Sequence, residues 1–213
     1  PSWNNLQTKF LEDLESAGYK TDDIDTVLCT HLHTDHVGWN TILVDDKWEP
    51  TFKKADYLFG REEWNYTEKQ LGNPLYAEFI NDSIIPIIDS GLVKFVELDE
   101  KICEEITLEP TLGHTPGHVI FFHKEAKIAA VGDVLFQGSI GRSDLPRGNH
   151  QQLVNSIVNE LWPLGDEIRF IPGHGPMSTF GNERLTNPYV SDFALGIDRE
   201  VSDAVKKQET SME

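Results

Sequence analysis

The sequence predicts an α/β protein. Three observations carry that reading. Short apolar runs of strand length alternate with segments of helical periodicity. The blocks that carry chemistry fall where predicted strands end. The chain has 213 residues, of which 38% are hydrophobic and 25% charged, so it can build a real core. No repeat, low-complexity tract or linker interrupts it, and a single domain over residues 1–213 is expected.

In chain order, Leu6, Phe10, Leu11, Leu14 and Ala17 recur at helical spacing and Gly18 ends the pattern, predicting a helix over about residues 5–17. Thr21–Asp25 reads as a turn. Val27–Thr30 reads as a buried strand that runs straight into His31-Leu32-His33-Thr34-Asp35-His36, and a helix is expected to open over Val37–Thr41. Asp45–Pro50 is read as a polar turn, Ala55–Phe59 as a strand and Arg61–Tyr66 as a short helix. Leu75, Tyr76, Phe79, Ile80, Ile84 and Ile87 are spaced as a helix that Pro86 kinks or ends. Leu92–Val96, Ile102–Leu108, Val119–His123 and Ile128–Val131 are strands by alternation or apolar run. Gln151–Leu161 is a helix with Asn149 as its N-cap, Glu167–Ile171 a strand, and Asp198–Lys207 a last helix.

Composition excludes several classes. Lys and Arg total 18 against 36 Asp and Glu, a net charge of −18, which speaks against nucleic-acid or anionic-membrane partners. No apolar run reaches membrane-spanning length. With no secretory-type stretch, a cytoplasmic location is expected. Two cysteines cannot form a disulfide framework, and both Cys29 and Cys103 are read as small core residues.

Eight histidines are the unusual feature, and six of them fall in three of four chemistry-bearing blocks. The first is the hexapeptide 31–36. The others are Gly113-His114-Thr115-Pro116-Gly117-His118, Gly132-Asp133-Val134-Leu135-Phe136 and Pro172-Gly173-His174-Gly175. Neutral imidazole and carboxylate are the usual ligands of zinc and similar divalent metals. Three His and one Asp in six residues have no packing rationale, and a loop of that kind can serve two ions. His31 and His33 can point to one metal while Asp35 and His36 point to its neighbour. His114 would complete the first site and His174 the second, and Asp133 has two oxygens with which to bridge them. His118, His123 and His150 are read as ordinary surface or core histidines. Trp39, Tyr57, Phe59, Trp64 and Tyr66 are read as core in preference to a substrate wall.

These residues resemble the metallo-β-lactamase-fold hydrolases. His31, His33, Asp35, His36, His114, Asp133 and His174 match that family's seven metal-binding positions one by one. The resemblance implies a four-layer αβ/βα sandwich. It also implies two divalent ions, zinc first with iron or manganese also suited, and a hydroxide held between them that attacks a carbonyl carbon. Asp35 would ligate a metal and accept a hydrogen bond from that hydroxide. The segments from Asp133 through Gly148 and from Trp162 through Pro176 are similar to hydroxyacylglutathione hydrolase (glyoxalase II) and its single-domain relatives. They imply a small thioester substrate such as S-lactoylglutathione, with Arg142 binding a substrate carboxylate. Arg147 is read as surface charge. The stretch from His31 to Trp64 looks more like the lactonase and ester-hydrolase branch. The family usually has several strands before the hexapeptide, so a domain lacking those N-terminal strands, truncated or shortened, is expected.

Three other readings compete. A lactone or ester hydrolase would keep the same site. A mononuclear iron persulfide dioxygenase resembles the chain at Gly141-Arg142-Ser143-Asp144 but uses only part of the ligand set. A non-catalytic remnant would bind no metal.

Overall fold

The computed structural model describes residues 8–98 and 100–197. The helix expected over 198–207 and the start of that expected over 5–17 lie outside the described residues. The chain divides into two compact units, Pro1–Leu98 and Asp99–Glu213.

In the first unit, α1 (Phe10–Ser16) leads through a short 3₁₀ turn to β1 (Thr26–Leu28), and α2 (Thr34–Val37) follows. The helix expected after the hexapeptide therefore begins inside it. Next come a 3₁₀ turn at Gly38–Asn40 and the strands β2 (Thr41–Val44) and β3 (Lys47–Pro50). The sequence reading missed this antiparallel hairpin and assigned all of 45–50 to a turn. Only Asp45 and Asp46 form the turn, both with positive φ (47° and 60°). That is the backbone a two-residue hairpin demands, and Asp tolerates it.

β4 (Asp56–Gly60) and α3 (Arg61–Glu68) stand close to where the sequence placed them. The long helix expected around Pro86 is two: α4 (Ala77–Ser83) and α5 (Ile85–Ser90). Pro86 sits in the first turn of α5, where no intrahelical N–H bond is lost. β5 (Val93–Val96) completes a parallel sheet in the order β1-β4-β5. Val37, Tyr57, Phe59, Ile80, Ile84 and Ile87 form its buried core. Burial of side chains of this size stabilises by about 1.5–3 kcal/mol each.

The second unit begins with β6 (Ile106–Pro110), β7 (Val119–His123) and β8 (Ile128–Gly132), then a small hairpin of β9 (Leu135–Phe136) and β10 (Ser139–Ile140). α6 (His150–Ser156) follows, capped by Asn149, whose side-chain oxygen accepts from Gln152 N–H at 3.0 Å. The helix expected to run to Leu161 widens into π-type turns at Ile157–Leu161 and tightens at Trp162–Leu164. β11 (Arg169–Pro172), β12 (Ser178–Thr179) and α7 (Phe180–Thr186) complete the unit. β9, β10 and β12 are two residues long and show no readable alternation, and α7 was not foreseen either. The sheet order is β12-β11-β8-β7-β6, with β8 and β11 parallel and the other pairs antiparallel. Ile120, Val131, Leu153, Ile157, Phe170 and Phe180 are among its buried core.

Cys29 is buried, as expected, but Cys103 is exposed. The apolar run 102–108 concealed this. The N–H groups of Ile102 and Cys103 both reach Ile106 O (3.1 and 3.4 Å), so the backbone turns there and β6 begins only at Ile106. No helix among the described residues is long and apolar enough to cross a membrane.

Candidate metal centre

The first unit gathers four donors at the C-terminal end of β1. His33 is extended (φ −75°, ψ 156°) and caps α2, and His36 N–H closes the first turn onto His33 O at 3.0 Å. The helical turn swings Asp35 and His36 back beside the two histidines before it. The His31 ring lies 4.6 Å from that of His33 and 4.1 Å from that of His36, centroid to centroid. A His36 ring nitrogen stands 3.8 Å from an Asp35 oxygen. Ligand atoms of His31 and His33 lie within 4.8 Å of each other, as do those of Asp35 and His36.

His31 is fully buried and shares its Nδ1 with Thr30 Oγ1 at 3.1 Å. Imidazoles this close would repel one another if protonated. As neutral rings they present lone pairs, which is the form a divalent metal takes.

Three buried supports hold this loop. Leu32 N–H donates to the carboxylate of Glu63 at 3.2 Å, and Glu63 on α3 is only 4% exposed. Asn40 donates through its amide to Ser83 O at 3.3 Å and accepts the Cys29 thiol at 3.8 Å. Tyr57 OH donates to Asn40 O at 3.0 Å. Burial pushes the Cys29 thiol up to about 12, against the smaller opposite effect of the Asn40 bond, so it stays protonated and is no nucleophile.

The second unit brings together three donors from three loops. Asp133 follows β8, and Gly132 before it has φ +50°, which turns the chain so that the carboxylate leaves the sheet. His174 follows β11. The parallel pairing sets Pro172 beside Gly132, and Gly173 N–H bonds Gly132 O at 2.8 Å. His174 Nε2 thereby comes to 3.4 Å from Asp133 Oδ2. His114 approaches from the β6–β7 loop, with Nε2 at 3.8 Å from the same oxygen.

His114 Nδ1 is 2.7 Å from the backbone carbonyl of Arg142. A carbonyl only accepts, so Nδ1 carries the proton and Nε2 keeps its lone pair toward Asp133. The donor set is therefore imidazole nitrogen and carboxylate oxygen in both units, which fits divalent metals.

Arg142, expected to act through its side chain, has an exposed guanidinium in a two-bond pair with Asp144 (2.9 and 2.9 Å). Each raises or lowers the other in the expected sense: Arg142 is pushed up and Asp144 held down. Its backbone, by contrast, orients His114. Arg147 is exposed. His123 is half-buried and accepts from Ala126 N–H at 3.2 Å, while His150 is exposed near Ser143. Tyr57 and Phe59 are fully buried core, as expected, and Trp64 packs against that core.

The sequence reading missed Glu63 and Glu183. Glu183 on α7 is fully buried and accepts from Gly138 N–H at 2.7 Å, Ser178 Oγ at 2.5 Å, Asn182 at 2.9 Å and Asn187 at 3.0 Å. Asn187 also donates to Phe136 O and Ser139 O, so the pair braces the β9–β10 hairpin that leaves Asp133. Burial opposes ionisation of Glu183, but these bonds together outweigh it and hold the carboxyl below the usual glutamate range.

A family model described as the metallo-beta-lactamase superfamily matches residues 2–174. Hydroxyacylglutathione hydrolase GloC of Haemophilus influenzae is 36% identical over 185 residues, 79% of this chain and 77% of its own. The probable metallo-hydrolase YqgX of Bacillus subtilis is 31% identical over 186 residues, again 79% and 77%. Among solved structures, TTHA1623 in a di-iron-bound form gives a TM-score of 0.65 at 29% identity, covering 85% of this chain and 83% of its own. The BLEG-1 B3 metallo-beta-lactamase gives 0.63 at 28%, with the same coverage. The fold the sequence implied is thus the fold of these neighbours.

Proposed function

The chain belongs to the metallo-beta-lactamase superfamily and is a metal-dependent hydrolase, and we propose that it is a dinuclear enzyme that cleaves a small thioester of the S-lactoylglutathione type. The observation that carries this reading is the pair of His/Asp donor sets, one at the end of β1 and one around Asp133. The relative named as a hydroxyacylglutathione hydrolase supports the substrate class.

In this reading His31, His33 and His114 would hold one ion and Asp35, His36 and His174 the other, with Asp133 contributing its carboxylate. When bound, such ions would supply a Lewis acid and would lower the pKa of a bound water toward neutrality. The chain's own residues do the rest. Asp35 would accept a hydrogen bond from the attacking water through one carboxylate oxygen. His114, fixed by the Arg142 carbonyl, keeps its lone pair aimed without reorganisation. The Arg142 guanidinium, at the surface and anchored by Asp144, offers remaining N–H donors to a substrate carboxylate.

The test is a substrate panel with metal analysis on the same sample. S-lactoylglutathione, a homoserine lactone and an aryl ester are assayed beside the metal count per chain. Two ions and preferred turnover of the thioester are expected, with kcat/KM for it falling about tenfold or more in Arg142→Ala. Preferred lactone turnover would move the substrate to the other branch. One iron per chain would overturn the dinuclear reading. Unchanged kcat/KM in an active Arg142→Ala protein would remove Arg142 from the substrate site.

A further inference from the structure

We propose that His118 is a positioning residue for the metal donors Asp133 and His114, acting through a single enforced tautomer. The inference rests on the reading of those two residues as ligands and goes beyond it.

His118 is fully buried immediately before β7. The N–H of Asp133 points at its Nε2 at 3.3 Å. A backbone N–H only donates, so Nε2 must hold the lone pair. The ring proton is then on Nδ1, which donates to Thr111 Oγ1 at 2.9 Å. Both ring nitrogens are used, and the imidazole is neutral by construction.

The same residue also ties down the loop that carries His114. The carbonyl of His118 accepts from Thr111 N–H at 2.9 Å, closing the base of that loop, and within it Gly113 N–H reaches Thr115 O at 3.2 Å. The His114 ring stands edge-on to the His118 ring, 5.9 Å between centroids. One side chain thus fixes the backbone from which the Asp133 carboxylate projects, and its own backbone fixes the loop of a neighbouring donor. An apolar residue of the same volume would fill the space and leave the Asp133 N–H without its acceptor. Supports of this kind typically carry about 10–100-fold in metal affinity.

The experiment compares the wild-type chain with His118→Leu, His118→Gln and Thr111→Val. Each protein is stripped with a chelator and titrated with Zn(II) against a chromophoric competitor. The absorption spectrum of the Co(II)-loaded protein and the thermal midpoint of the metal-free protein are recorded beside it. Gln can accept from Asp133 N–H where Nε2 does; Leu cannot. The expected result is about 10–100-fold weaker zinc binding and an altered Co(II) spectrum in His118→Leu. His118→Gln should recover most of the affinity, and Thr111→Val should lose several-fold by freeing the ring. Equal affinities in the Leu and Gln variants, or wild-type affinity in Leu, would overturn the inference, because a purely space-filling role favours Leu. Should the Leu variant not fold, wild-type affinity in Thr111→Val would overturn it instead. If the wild-type protein itself takes up no zinc, the metal reading falls first and this inference falls with it. If it takes up two ions and the variants match it, only this inference falls.

Discussion

The two donor sets are assembled by opposite means. In the first unit, four donors occupy six consecutive residues, and one strand end and one helical turn aim them. In the second, His114, Asp133 and His174 are each separated by long stretches of chain, and strand pairing between β8 and β11 brings two of them to 3.4 Å. A local device tolerates change in its surroundings as long as its short backbone path survives. A distributed device depends on every close approach between distant segments.

The sharpest way to break the comparison is to add one methyl group to each. At Gly141 a Cβ would run into the backbone carbonyl of Asp133, so the obstacle cannot swing aside. Gly141→Ala is expected to destabilise by about 3 kcal/mol, the upper end for overpacking, and to lower metal uptake by displacing Asp133. Denaturant unfolding and metal content check both effects. At Gly38, beside the first donor set, a Cβ meets nothing within 4 Å, and the backbone is ordinary helix (φ −58°, ψ −39°). Gly38→Ala should stay within about 0.5 kcal/mol of wild type and keep its metals. Equal losses at the two positions would mean that the first set is not locally built.

Glu183 gives an intermediate effect and a pH signature. Glu183→Gln leaves buried donors poorly matched and is expected to cost about 1–3 kcal/mol. Its folded-state pKa is lowered, so the wild-type carboxylate contributes stability above the ordinary glutamate value of about 4.3 and loses it as pH falls below. Stability measured from pH 7 to pH 3 should therefore fall less steeply in the Gln variant. Parallel curves would remove the carboxylate from the account.

Legibility followed the same division. The hexapeptide could be read directly as a candidate donor cluster, because clustered imidazoles have few other uses. Asp133 and His174 were legible only as parts of a combined pattern. His118 was not, since a buried supporting histidine and a ligand histidine share one letter, and only the direction of the Asp133 N–H separates them. Arg142 was singled out for its charge, and the structure gives its backbone carbonyl a clear task. Cys103 was misplaced because an apolar run is silent about where the chain turns.

By itself, then, the sequence determined the α/β class and the order of most strands and helices, and it picked out seven candidate donor residues. Each is a matter of local periodicity or of side-chain chemistry, and both are carried by composition over short spans. Tertiary structure alone decided which nitrogen of His114 faces Asp133, that Glu63 and Glu183 are buried acids with bonded carboxylates, and that His118 supports Asp133. Those facts depend on the direction of single N–H and C=O groups across contacts between distant segments, and backbone direction has no letter in a sequence.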